Sequence, residues 1–105
     1  MANIFTQNPI RLDTVMGSGY LATIGASAGL ERPLKVTEIN VETSAAPAAA
    51  GPITITDAAG NTIWECQVAA TANLNIFDDF QFTRMWRNFQ LTVIPTNTVV
   101  WIYRR

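Results

Sequence analysis

Apolar and polar positions alternate most clearly near the end of the chain, in residues 89–105. Phe89, Leu91 and Val93 are separated by single polar residues, the period-two pattern of a strand with one buried face. A Pro-Thr-Asn turn then breaks the pattern. Residues 99–103 follow as an unbroken run of β-branched and aromatic side chains, typical of a strand covered on both faces. This segment predicts a β-hairpin whose second strand is central in a sheet or is covered by a partner chain.

The same alternation predicts a second hairpin over residues 52–69. Ile53 and Ile55 alternate with threonines, and residues 57–61 (Asp-Ala-Ala-Gly-Asn) supply the chemistry of a turn. The returning strand is expected to direct one set of alternate side chains inward: Trp64, Cys66 and Val68.

One strand candidate earlier in the chain changes its apolar phase part-way. Leu34 and Val36 share one face of a regular strand. Ile39 and Val41 fall on the other face. A β-bulge near residues 37–38, or a strand that passes between sheets, would reconcile the two pairs.

Other segments are expected to lie outside the main strands. Residues 44–52 are rich in Ala and Pro and predict an exposed loop, because proline interrupts a helix within one or two turns. Residues 1–9 predict an extended N-terminal arm. Ile4 and Phe5 give this arm apolar surface to bury, on its own domain or on a neighbour. Residues 20–24 form a further short strand candidate between glycine-rich turns.

Together these segments give seven or eight short strands, no amphipathic helix and turn signals at nearly regular intervals. This pattern predicts an all-β fold: a single antiparallel β-sandwich or jelly-roll-like domain over residues 1–105. The length suits one domain. The chain has no signal-peptide pattern and no apolar run long enough for a membrane helix, so neither secretion nor membrane insertion is expected.

The residue types argue against catalysis. The absence of histidine removes the common nucleophile systems, and a single cysteine cannot build a structural zinc site. Cys66 is expected to act as a small buried hydrophobe. Asp78 and Asp79 are adjacent, so in a strand they would point to opposite faces; we interpret them as part of a polar turn. We therefore predict no catalytic residue, cofactor, metal or small-molecule substrate.

The low charge content favours contacts with other proteins over contacts with nucleic acid or membrane. Charged residues make up only 14% of the chain and the net charge is -1, which gives no general attraction to nucleic acid or anionic membrane. The polar residues are largely uncharged, which fits a surface that is partly covered in the working state. Arginine and aromatic residues are enriched at protein interfaces. The candidate interface residues are Ile4, Phe5, Arg84, Trp86, Arg87, Trp101 and Tyr103.

Several segments together carry a resemblance to a known group of proteins. They are Gly-Asn-Thr-Ile-Trp-Glu at 60–65 after the Ile53/Ile55 strand, Phe80-x-Phe82, and the closing strands at 91–93 and 99–103. Over about half its length the chain resembles the small β-sandwich structural proteins of tailed bacteriophages, in particular head decoration or cement proteins. The resemblance implies binding without catalysis: a homo-oligomer, dimer or trimer, on the outer capsid surface of the virion. It would be made in the host cytoplasm and would stabilise contacts between major capsid subunits.

Two alternatives stay open at this point. A carbohydrate-binding β-sandwich could use Trp86 and Tyr20 as an aromatic platform. A tail or neck subunit of the virion would share the features of a head protein, and the residues do not separate the two.

Overall fold

The computed structural model describes residues 3, 9–15, 34–57, 59–86 and 89–104. All regular secondary structure in this part of the chain is β-strand. The strands are β1 (Ile10–Leu12), β2 (Leu34–Thr43), β3 (Gly51–Thr56), β4 (Thr62–Val68), β5 (Asn75–Trp86), β6 (Gln90–Val93) and β7 (Thr98–Arg104). Among the described residues no helix is long and apolar enough to cross a membrane.

The strands form two antiparallel sheets, one of four strands in the order β1-β7-β2-β5 and one of three in the order β4-β3-β6. The first and last strands are neighbours, and the chain crosses between sheets from β2 to β3 and at each step from β4 to β7. Such crossings are typical of jelly-roll sandwiches. The predicted all-β sandwich is therefore confirmed.

The buried apolar side chains of both sheets form one continuous core. The four-stranded sheet contributes residues such as Ile10, Val36, Ile39, Val100 and Ile102, all fully buried. Ile53, Ile55, Trp64, Val68 and Leu91 come from the three-stranded sheet. Each sheet thus hides one apolar face against the other, the arrangement that makes a two-layer domain stable.

The phase change predicted in β2 is a β-bulge. Val36 lies opposite Arg104 and Glu38 lies opposite Tyr103, which leaves Thr37 as an extra residue in β2. The extra residue returns the strand to its original phase, so that Ile39 faces the core on the same side as Val36.

The hairpin predicted over residues 52–69 is confirmed, because β3 and β4 pair in antiparallel register. Its turn depends on Asp57, whose carboxylate accepts hydrogen bonds from the backbone N–H groups of Ala59 and Asn61, each at 2.9 Å. Gly60 follows with a φ of 89°, a conformation that glycine adopts without strain.

The predicted C-terminal hairpin is wrong. β6 pairs with β3 in the three-stranded sheet, whereas β7 lies between β1 and β2 in the other sheet. A hydrogen bond joins the β6–β7 connection to the loop between β2 and β3. Asn97 donates its side-chain N–H to the carbonyl of Ala46 at 3.0 Å. Local alternation predicts that strands exist, but the backbone partners that each strand finds are set by distant parts of the chain.

The central position predicted for the last strand is correct, and cover by a partner chain stays a prediction. Val100 and Ile102 are fully buried in the core. Val99, Trp101 and Tyr103 point the other way and are only partly covered. The outward face of β7 is therefore unusually apolar for a sheet surface.

β5 corrects one prediction. It is the longest of the described strands and runs from Asn75 to Trp86. Asp78 and Asp79 lie within this edge strand rather than in a turn. They do point to opposite faces, since Asp78 pairs with the inward-facing Ile39 and Asp79 pairs with Glu38. Charged residues on an edge strand discourage further strands from pairing with it.

The loop and the arm are only partly as predicted. The loop after β2 is mostly exposed, although Pro47 is buried and Gly51 already belongs to β3. In the N-terminal segment, Asn3 is held by its own domain, because its side-chain oxygen accepts hydrogen bonds from the backbone N–H groups of Asp13 and Thr14 at 2.8 and 3.0 Å. The predicted arm residues 4–8 and the strand candidate at 20–24 lie outside the described residues.

Among the described residues, one hydrogen bond between side chains joins the two sheets. The indole N–H of Trp64 on β4 donates to a carboxylate oxygen of Asp78 on β5 at 2.8 Å. Trp64 is only 6% exposed, so this carboxylate satisfies a donor that water hardly reaches.

We expect Asp78→Ala to destabilise the fold by about 1–2 kcal/mol, because it leaves the Trp64 N–H unpaired at the boundary between the sheets. Asp79→Ala is the matched control and should change the free energy of unfolding by less than about 0.5 kcal/mol. Urea unfolding followed by tryptophan fluorescence measures both. Equal destabilisation by the two variants would contradict the role given to Asp78.

Candidate interaction surface

The residues predicted to form an interface do not fall on one surface. Trp101 and Tyr103 lie on the outer face of the four-stranded sheet, the face turned away from the core. Arg84 is exposed on the edge strand β5. Ile4, Phe5 and Arg87 lie outside the described residues.

Trp86 is a core residue. Its side chain is 5% exposed, and its ring packs against that of Phe89 with 5.5 Å between ring centroids. A surface contact through Trp86, with a protein partner or with a sugar, was therefore a wrong prediction. The sequence gives no local signal that separates a core tryptophan from a surface one.

Arg84 is on a different side of the molecule from Trp101 and Tyr103. It pairs with the inward-facing Val36, and its guanidinium carbon lies 4.3 Å from the centroid of the Phe80 ring. Such a cation–π contact favours a fixed position for the guanidinium at the edge of the sandwich. The structure therefore does not place Arg84 in one patch with the two aromatic residues of β7.

The outer face of the four-stranded sheet carries a row of side chains that crosses all four strands. Arg11 of β1 lies opposite Trp101 of β7, and Trp101 lies opposite Asn40 of β2. On its other side Asn40 lies opposite Phe77 of β5. We call these four residues the outer row.

Trp101 is held in place on two sides. Its indole N–H donates to a carboxylate oxygen of Glu42 at 2.8 Å. The guanidinium carbon of Arg11 lies 5.7 Å from its ring centroid, within the range of a cation–π contact. A tryptophan fixed in this way loses little conformational freedom when a partner covers it, which favours binding.

Arg11 is itself fixed by an ion pair with Asp13. Burial raises the pKa of the Asp13 carboxyl, but hydrogen bonds from Arg11 and Thr14 outweigh this effect and hold the pKa below its ordinary value. Asp13 therefore remains ionised at neutral pH and keeps the guanidinium beside Trp101.

Asn40 sits in the middle of the outer row and is only 8% exposed. Its side-chain oxygen is buried and has no hydrogen-bond partner among the described residues. An unpaired buried acceptor costs about 1–3 kcal/mol, and native structures contain few of them. The register places Asn40 between Trp101 and Phe77, and its side-chain oxygen is already shielded from solvent by the surrounding residues.

Phe77 closes the outer row and is the most exposed large apolar side chain described, at 58%. The sequence did not single out Phe77 or Asn40. Ile76 and Phe77 are both apolar, so alternation alone cannot tell which of them faces outward. Only the register with β2 settles the matter, because Val41 pairs with Ile76 in the core.

The outer face also carries charge around its aromatic centre. The register places three carboxylates on this face of the described strands: Glu38, Glu42 and Asp79. It also places Arg11 and Lys35 there, and Arg11 forms an ion pair with Asp13 just beyond β1. The surface thus combines an aromatic centre with a surround of net negative charge, which is complementary to a partner patch that carries arginine or lysine.

Cys66 shows no feature of a reactive thiol. It is half-buried next to the core, and burial, with a smaller contribution from the charge of Asp78, raises the pKa of the thiol. A protonated thiol is a poor nucleophile and a poor metal ligand. Within the described ranges no three residues of the types that bind metals come together.

Comparison of the chain with models of known protein families, with curated proteins and with solved structures found no match.

Proposed function

We propose that this chain is a non-enzymatic structural protein of a virion, a capsid decoration or cement protein that stabilises contacts between major capsid subunits. It attaches through the outer face of the four-stranded sheet. In this proposal it is made in the host cytoplasm and works as a homo-oligomer, dimer or trimer, on the outer capsid surface. A tail or neck subunit that binds through the same face is the nearest alternative.

The observation that carries the proposal is the aromatic centre of the outer row, where the ring of Phe77 is 58% exposed and the half-buried indole of Trp101 is fixed by Glu42. A partner that covers this face would bury both rings. Aromatic residues near the centre of a patch are typical anchors of protein interfaces. The patch thus supports a binding function that involves no catalysed reaction.

Two further features support a virion as the setting. The connectivity of the sheets is of the jelly-roll type, which occurs in viral capsid and lectin domains. The strand and turn segments at 53–65, 80–82, 91–93 and 99–103 resemble phage decoration proteins, as described above. The acidic surround of the outer row then implies a basic docking patch on the capsid subunit.

We expect Phe77→Ala to weaken binding to empty heads assembled from the major capsid protein of the encoding virus by at least about 10-fold. The reason is that it removes an exposed aromatic anchor without opening the core. Cosedimentation of the purified protein with heads, over a concentration series, measures the affinity. Gln67→Ala, an exposed change on the other sheet, is the matched control and should bind as the unaltered protein does.

Equal occupancy by the Phe77 and Gln67 variants would contradict attachment through the outer row. Absence of binding by the unaltered protein to heads would contradict the decoration function itself.

The oligomer is tested separately, by light scattering after size exclusion over a concentration series. We expect the molar mass of a dimer or trimer, independent of concentration, because a permanent virion interface between copies should be large and stable. A monomer of 11.5 kDa at every concentration would contradict self-association.

A further inference from the structure

A polar notch lies at one end of the outer face, where β2 ends and β5 begins. Its volume is about 320 Å³, at the lower end of the range of small-molecule pockets and large enough for a single sugar ring. The residues around it are Glu42, Thr43, Ser44, Asn73, Leu74 and Asn75.

The backbone around the notch is fixed by Thr43. Its hydroxyl accepts a hydrogen bond from the backbone N–H of Leu74 at 3.0 Å and donates one to the carbonyl of Thr71 at 2.8 Å. The backbone N–H of Thr43 also donates to the carbonyl of Leu74 at 3.1 Å. Asn73 turns the chain with a φ of 60°, a conformation that asparagine tolerates. The notch is therefore preformed, as small-molecule sites usually are.

The polar groups of the notch match a ligand with several hydroxyl groups. Glu42 lies opposite Asn75 on neighbouring strands. One carboxylate oxygen of Glu42 accepts the Trp101 N–H, and the other has no hydrogen bond among the described residues. The amides of Asn73 and Asn75 both donate and accept, as a sugar hydroxyl does.

The same groups disfavour other ligands. No arginine or lysine is among the residues that line the notch, so a phosphate would meet the Glu42 carboxylate without a compensating cation. Glu42 is the single carboxylate in the lining, whereas calcium sites usually combine several oxygen ligands with more negative charge.

An exposed aromatic ring lies next to the notch but does not line it. Phe77 follows Asn75 by two residues in β5, so both side chains lie on the outer face. A ligand that projects from the notch toward the outer row would bury part of this ring, and burial of apolar surface is favourable.

We infer that this notch binds a neutral saccharide, with Glu42, Asn73 and Asn75 on its hydroxyl groups. The inference does not depend on a virion location. It differs from the sugar platform expected at Trp86 and Tyr20, since Trp86 is a core residue and Tyr20 lies outside the described residues.

The test is a titration of the ¹⁵N-labelled protein with D-glucose, D-galactose and N-acetyl-D-glucosamine, each followed by two-dimensional NMR. With at least one sugar we expect saturable shifts at the backbone amides of residues 42–44 and 73–75. Parallel titrations with inorganic phosphate and calcium chloride test whether the notch is an anion site or a cation site. Neither compound should shift these amides.

Two variants and a control make the test specific. Asn75→Ala and Asn73→Gly should each weaken binding by about 10-fold, since each removes an amide. Glycine at 73 keeps the backbone conformation available. Gln67→Ala should bind as the unaltered protein does. No shifts with any of the three sugars, shifts that centre elsewhere, full binding by both asparagine variants, or a stronger response to phosphate or calcium would each overturn the inference.

Discussion

The extra residue at Thr37 is the constraint on which the four-stranded sheet depends. β2 is bonded to β7 on one side and to β5 on the other. Without the bulge, Val36 and Ile39 would face opposite sides, and one apolar segment would be exposed to water. With it, Val36, Ile39 and Val41 all join the core. The bulge turns Ile39 inward and therefore turns its neighbour Asn40 outward. The same extra residue thus fills the core and places Asn40 in the outer row.

The two faces of the four-stranded sheet carry different kinds of side chain. The inner face is filled by apolar side chains, whereas the outer face holds Trp101 and Phe77 beside Asn40, whose side-chain oxygen has no hydrogen-bond partner among the described residues. Glu42 connects the two features of the outer face, because it fixes the indole of Trp101 and also lines the notch beside Asn75. A partner that covers the row and a ligand that fills the notch would therefore act on neighbouring parts of one preformed surface.

Alternation in the sequence is enough to predict most strands, the hairpin around Asp57 and even the bulge at Thr37, because these depend on side chains close together in the chain. It fails where strands distant in the sequence compete to pair with the same strand. β6 finds β3 instead of β7, and no local pattern records that choice. The candidate surface was harder to predict for the same reason. Trp101 was identified from composition, but Asn40 and Phe77 became visible only through the register of β2 with its neighbours.

The central claim is that the outer face of the four-stranded sheet is covered in the working state. Hydroxyl-radical footprinting of the protein, free and bound to the assembled particle, tests it most directly. We predict that Phe77, Trp101 and Tyr103 lose reactivity on binding, while Val93, exposed on the other sheet, keeps its reactivity. Protection of Val93 with unchanged reactivity of the three aromatic residues would contradict the claim.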